Sequence, residues 1–264
     1  MRRVKFMRIG PPKARIASGL VFVGFMAMGF SAHASQSFAW NGGYFAPGGD
    51  FNGYDTVNIA NTTPGGPAPI ASPVGSGADK LTAGAVTGTG MSYPVGTILE
   101  AFCVDISIFI ASTMIYNVLS DTNSATTAYF GSLYTGAVGG ATVGNLERYA
   151  SANLGSVTNV DTSAAFQIGI WQIAFGSGFS ATPVGATAAI VSAEVAIFQT
   201  AYASYTGSLT EQLTFLHQDT GAHNSQMLVT FSPVPLPASL WLMLSGIGAF
   251  AVLGRRQKRA APAL

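Results

Sequence analysis

The sequence predicts an α+β fold: a β-rich N-terminal portion, a helical segment, C-terminal strands and a single C-terminal transmembrane helix. Three observations carry this. Residues 41–96 are dense in Gly, Pro, Thr, Asn and Ser around short apolar stretches, which is how hairpins and loops read. Residues 98–110 alternate strictly, with Ile98, Glu100, Phe102, Val104, Ile106, Ile108 and Ile110 on one side, the period of a strand. Residues 146–205 switch to helical spacing, the period of amphipathic helices.

Taken in order, Asn41-Gly42-Gly43, Asn52-Gly53 and Pro64-Gly65-Gly66-Pro67 are turn signals that break the first portion into hairpins. The long strand at 98–110 places Leu99, Ala101, Cys103, Asp105, Ser107 and Phe109 on its more polar side. Leu146, Tyr149, Ala150, Asn153 and Leu154 form one helical stripe ended by Gly155. A second helix is expected over Ala164 to Phe175, with Asp161, Thr162 and Ser163 as capping residues and Ala164, Gln167, Ile168, Trp171 and Phe175 sharing a stripe. A third, Ala188 to Tyr205, aligns Ile190, Glu194, Ile197, Phe198, Ala201 and Tyr205. Leu213–Leu216 and Met227–Phe231 read as closing strands.

Both ends differ from this body. Arg2, Arg3, Lys5, Arg8, Lys13 and Arg15 precede an apolar run from Ile16 to Ala32, and Ala32-His33-Ala34 fits the small-x-small pattern before a cut between Ala34 and Ser35. That is the layout of a signal peptide over residues 1–34, removed by signal peptidase. At the far end, a charge-free run from Leu236 to Gly254 stops at Arg255-Arg256-Gln257-Lys258-Arg259. As a helix at about 1.5 Å per residue it reaches roughly 28 Å, close to a hydrocarbon core of about 30 Å. The transmembrane helix is expected at about 238–254, with the basic stop at 255–259. A retained N-terminal helix and an ordinary tail anchor are the plainer alternatives. The positive-inside rule keeps both basic clusters in the cytoplasm and puts the body, residues 35–231, outside the inner membrane.

The 264-residue chain carries a formal net charge of +1, but all 11 acids lie between Ser35 and Ser232, where Lys80 and Arg148 are the two cations, a body charge of −9. Such a domain repels nucleic acid and anionic membrane surfaces, so no nucleic-acid partner is expected.

Val234-Pro235-Leu236-Pro237-Ala238-Ser239, the apolar run and Arg255, Arg256, Lys258 and Arg259, in this order over residues 232–264, resemble the PEP-CTERM sorting signal of Gram-negative bacteria. Leu236 stands where that family's name-giving Glu usually sits. The resemblance implies an exosortase as partner, a transient inner-membrane anchor, and delivery to the cell surface or the exopolysaccharide matrix.

Cys103 is the one cysteine of the chain, so no internal disulfide forms. An exported unpaired thiol is buried as a small hydrophobe, pairs with another chain or is put to use. Phe102-Cys103-Val104-Asp105 on a strand, followed 64 residues later by Phe166-Gln167-Ile168-Gly169-Ile170-Trp171 on a helix, resembles the bacterial thioester domain of surface adhesins. In that family the Cys sulfur is joined to the Gln side-chain carbonyl with loss of ammonia. The resemblance implies Cys103 as thiol, Gln167 as acyl group, and Phe102, Asp105 and Trp171 as surroundings, with Trp171 helping to exclude water. Phe166 and Gly169 depart from the usual Thr and Ala of that pattern. It implies covalent adhesion to a surface amine or a matrix exopolysaccharide; the alternative is a non-reactive structural or carbohydrate-binding matrix protein with the same fold.

Other chemistry is sparse. His217 and His223 lack a Cys or a tight carboxylate cluster, so no metal is expected. Asp50-Phe51-Asn52-Gly53-Tyr54-Asp55 reads as a turn or, on its alternating oxygens, a calcium loop lacking the closing Glu. With no Gly-x-Ser-x-Gly elbow, P-loop or dinucleotide fingerprint, neither a cofactor nor an enzyme activity is expected.

Overall fold

A computed structural model describes residues 34–45, 54–66, 68, 74–106, 110, 112–218 and 225–234. The strands are β1 (Ser35–Gly43), β2 (Asp55–Asn61), β3 (Val74–Ser76), β4 (Asp79–Thr87), β5 (Ile98–Cys103), β6 (Thr113–Ser120), β7 (Phe179–Val184), β8 (Glu211–His217) and β9 (Leu228–Pro233). The helices are α1 (Ser124–Ser132), α2 (Gly139–Asn153), α3 (Val160–Phe175) and α4 (Ala188–Ser204). The fold is mixed helix and strand, and its centre is a closed six-stranded antiparallel barrel in the order β1-β4-β5-β9-β8-β6. Closure leaves these strands without a free edge. A second sheet, β3-β2-β7, stands beside it.

Register decides which side chains fill the barrel. Trp40 pairs with Leu81 and Phe38 with Ala83 across β1–β4, Leu81 with Leu99 across β4–β5, and Cys103 with Leu228 across β5–β9. These residues therefore share the inner face, together with Asp79, which pairs with Ala101. On the outer face of β5, β9 and β8 stand Phe102, Phe231 and Phe215, and the helices cover them. Phe102 meets Phe166 of α3 at 4.8 Å between ring centroids, and Phe215 meets Tyr129 of α1 at 4.8 Å. Both faces of β5 are buried where it ends.

That double burial corrects the alternation expected at 98–110. The strand stops at Cys103, and over its length the Leu99/Ala101/Cys103 side is buried while Ile98 is exposed and Glu100 half-buried. Cys103 does not face the polar side. Hydrophobicity marks the opposite face because Phe102, Val104 and Ile106 are also buried.

α2 follows its predicted stripe, with Leu146, Tyr149, Ala150 and Asn153 buried. α3 begins earlier than expected, because Asn159 is the N-cap: its side chain accepts from Thr162 N–H at 2.9 Å and Thr162 Oγ1 accepts in return from Asn159 N–H, a reciprocal capping box. Ser163, read as a cap, instead accepts from Ala78 N–H at 2.6 Å, and Ser76 Oγ donates to Ala164 O at 3.0 Å. Two hydrogen bonds thus fasten the start of α3 to the β3–β4 turn. α4 follows its predicted stripe only in part: Phe198 of that stripe is buried, but Ile190 and Ile197 are exposed and Val191, outside the stripe, is buried in their place. α1, β6 and β7 have no counterpart in the sequence reading.

Among the described residues no helix is long and apolar enough to cross a membrane. The expected transmembrane helix at 238–254, Pro235 to Ser239, the basic stop, His223, and the Asn52-Gly53 turn lie outside the described residues, as does the signal peptide up to His33. Ala34 is buried and its carbonyl accepts from Val118 N–H at 3.2 Å, and Ser35 opens β1. β9 runs on to Pro233, and Val234 N–H still donates to Thr210 O at 2.8 Å. The body therefore extends through the first residues assigned to the tail.

Candidate functional site at Cys103 and Gln167

β5 outruns its partner. The β4–β5 ladder begins at the Asp79–Ala101 pair, so Cys103, two residues further on, has no β4 backbone beside it. Its N–H donates to Gln167 Oε1 at 2.9 Å, and its C=O accepts from Gln167 Nε2 at 2.7 Å. The side-chain amide of α3 occupies the missing rung. Val104 N–H, turned the other way, reaches Met227 O at 2.9 Å. Gln167 is 1% exposed and Cys103 9%.

The thiol lies in a second set of contacts. Cys103 Sγ is 2.6 Å from Gln226 Oε1 and 3.2 Å from Asp79 Oδ2, so a single S–H has two acceptors. Gln226 is fixed by donating its Nε2 to Asp105 O at 3.0 Å. Asp79 Oδ1 accepts from Trp40 Nε1 at 2.9 Å and from the Tyr54 hydroxyl, which leaves Oδ2 aimed at sulfur. Burial raises the Asp79 carboxyl above the ordinary carboxylate range, and the hydrogen bonds from Tyr54, Trp40 and Cys103 pull partly against it. Burial, then the charge of Asp79, hold the Cys103 thiol well above its usual value. At neutral pH the sulfur is protonated and needs a base to react.

These groups open into a cavity of about 120 Å³. Ile59, Val74, Ile106, Ile110 and Trp171 give it apolar walls, and Asp79, Cys103, Gln167 and Gln226 its polar end. Trp171 is 2% exposed, and its Nε1 has no hydrogen-bond partner among the described residues.

The predicted site residues separate accordingly. Cys103, Gln167 and Trp171 come together. Phe102 does not join them: it lies on the outer face against Phe166 and Phe231. Asp105 acts at a distance, its charge raising the Cys103 thiol and its carbonyl anchoring Gln226. The sequence reading missed Asp79, Gln226, Trp40 and Tyr54. One signal was present for Asp79, an acid in phase with Leu81 and Ala83, where an alternating strand buries everything on that side. Among the described residues no cluster of His, Cys, Asp or Glu is placed to hold a metal ion.

A mixed helix-and-strand barrel with a buried Cys–Gln–Asp constellation is thus the class of body that precedes the C-terminal signal. Residues 233–259 match the family model of the PEP-CTERM protein-sorting motif. That match implies an exported protein, directed to the cell surface, with exosortase as its processing partner. The chain matches no curated protein and no solved structure.

Proposed function

We propose that this is a surface or matrix adhesion protein of a Gram-negative bacterium, held transiently in the inner membrane by its C-terminal helix, that fastens itself through a Cys103–Gln167 thioester. It acts once per molecule rather than as an enzyme. The observation that supports the bond is the double hydrogen bond between the Gln167 amide and the Cys103 backbone, which holds the acyl carbon beside the residue that carries the thiol. Cys103 N–H already donates to Gln167 Oε1, the oxygen on which negative charge develops when sulfur attacks, a placement that favours the tetrahedral state. A thioester is far more open to amines than an amide, and the apolar walls around Trp171 limit hydroxide until a ligand amine on a cell, a protein or a matrix polymer arrives.

Intact mass spectrometry of the mature protein tests this. The expected result is a mass short by one ammonia, replaced on adding methylamine by a methylamine adduct at Gln167, one CH2 heavier than the unmodified chain, with no deficit in Cys103→Ala. An unmodified mass with Cys103 alkylated only on unfolding refutes it. That outcome fits the second reading, a non-reactive structural or carbohydrate-binding matrix protein. Its support is that Gln167 is fully used in completing the β5 ladder and the thiol is itself hydrogen-bonded. Exosortase processing is tested separately by replacing Pro235 and Pro237 with Ala. The expected outcome is a longer, membrane-retained form on immunoblots, and unchanged processing refutes it.

A further inference from the structure

We infer that Asp79 is the proton carrier of this site, taking the proton from Cys103 Sγ and passing it to the nitrogen that leaves Gln167. The inference rests on the thioester reading. Its ground is geometric. Two groups accept from the S–H, Gln226 Oε1 at 2.6 Å and Asp79 Oδ2 at 3.2 Å, and of these a neutral amide cannot hold a proton whereas a carboxylate can. Trp40 Nε1 and the Tyr54 hydroxyl both bind Asp79 Oδ1, so the other oxygen is held toward sulfur. This is the arrangement of a nucleophile, its base and the groups that orient the base.

The step balances without another reactant. Asp79 Oδ2 removes the proton as Sγ attacks Gln167 Cδ; the S–C bond forms, the bond to Nε2 breaks, and Asp79 returns its proton to that nitrogen. Thiol plus carboxamide gives thioester plus ammonia, and Asp79 ends as it began. When an amine later opens the bond, the same carboxylate carries a proton from nitrogen to sulfur. The raised Cys103 thiol explains why a base is needed. The titratable groups that face Asp79 are Cys103 of β5, Tyr54 ahead of β2 and Tyr116 of β6, whose hydroxyl is itself raised by burial and by the charges of Cys103 and Asp79.

The test follows bond formation rather than aminolysis, because added amines titrate themselves. Treating the mature protein with ammonia regenerates the Gln167 amide and the free thiol; after desalting, loss of ammonia is followed by intact mass across pH. Wild type is expected to speed up as pH rises through the raised Asp79 value. Asp79→Asn is expected to slow the step by about 10²-fold or more, within the usual range for a positioned base; re-formation at the wild-type pace overturns the inference while leaving the thioester standing. Tyr54→Phe keeps the carboxyl but removes a bond that stabilises its ionised form, so the pH midpoint moves upward. An unmoved midpoint overturns the inference even where Asp79→Asn fails to fold. Wild type that never loses ammonia ends both readings, an outcome distinct from the other two.

Discussion

Gly169→Ala sets two known magnitudes against each other. Alanine gains about 1 kcal/mol over glycine in a helix interior, and position 169 lies in the middle of α3. A Cβ built there meets Tyr149 Oη at 2.0 Å and Cζ at 2.2 Å, so Tyr149 or α3 must move. Tyr149 has nowhere to go: it is fully buried, stacked on Phe166 at 4.9 Å and edge-on to Tyr202 at 5.7 Å. Overpacking of this kind costs about 1–3 kcal/mol, and a contact this short belongs at the upper end. The net expectation is a loss of about 1–2 kcal/mol. Urea denaturation followed by tryptophan fluorescence measures it as a fall in midpoint at constant slope. In a Tyr149→Ala background the obstruction is gone, and Gly169→Ala should then stabilise by up to about 1 kcal/mol, a coupling that a double-mutant cycle isolates. Gly169→Ala that stabilises the otherwise wild-type protein refutes the claim that α2 and α3 pack through this glycine.

Three further outcomes follow from the hydrogen bonding and burial of single residues. In a Cys103→Ala background, where no thioester forms, Gln167→Ala leaves the N–H and C=O of residue 103 unpaired and should cost about 2–6 kcal/mol at about 1–3 for each buried group; a cost under about 0.5 kcal/mol, the level of a neutral surface change, removes the missing-rung account. Asn159→Ala opens the capping box and should lower stability by about 1 kcal/mol, and an unchanged urea midpoint contradicts that role. Burial pushes Glu100 up to about 7, from 4.5. The folded state therefore holds its proton more tightly than the unfolded chain, so stability falls as pH rises from about 4.5 to 7. Asp79, Glu147 and Glu211 are also raised by burial and act in the same direction. Glu100→Gln should flatten part of that decline, and a pH profile identical to wild type contradicts it.

The sequence disclosed those parts of the fold in which one physical signal dominates. α2 was legible because its buried face is a narrow stripe on an otherwise polar helix. α4 was legible only at Phe198, because Ile190 and Ile197 are as apolar as Val191, and composition alone cannot say which of them lies on the buried side. β5 was misjudged for a related reason: with both sides covered, alternation loses its meaning at the end of the strand. The barrel itself was not legible. Its closure depends on β1 pairing with both β4 and β6, contacts between residues far apart in sequence that no local period encodes.

The site follows from that closure. Because β4 starts at Asp79 while β5 continues to Cys103, the barrel is one rung short at this corner, and two buried backbone groups need partners. A carboxamide is the one uncharged side chain that carries both a donor and a double-lone-pair acceptor on a single rigid plane, and the bonds from Ser163 and Ser76 bring α3 near enough to supply one. Any stable fold with this corner therefore has a structural use for Gln167 whether or not it reacts. What structure alone does not require is an ionisable acid at the same place. Asp79 faces inward, its carboxyl raised by burial, and gives up both faces of one oxygen to Trp40 and Tyr54 so that the other meets sulfur. A buried carboxylate is costly to maintain unless something uses it. A leucine at 79 would fill the same inner position beside Leu81, so Asp79→Leu separates the two roles: a stability gain together with loss of ammonia release marks an acid kept for chemistry, and a stability loss marks an acid kept for the fold.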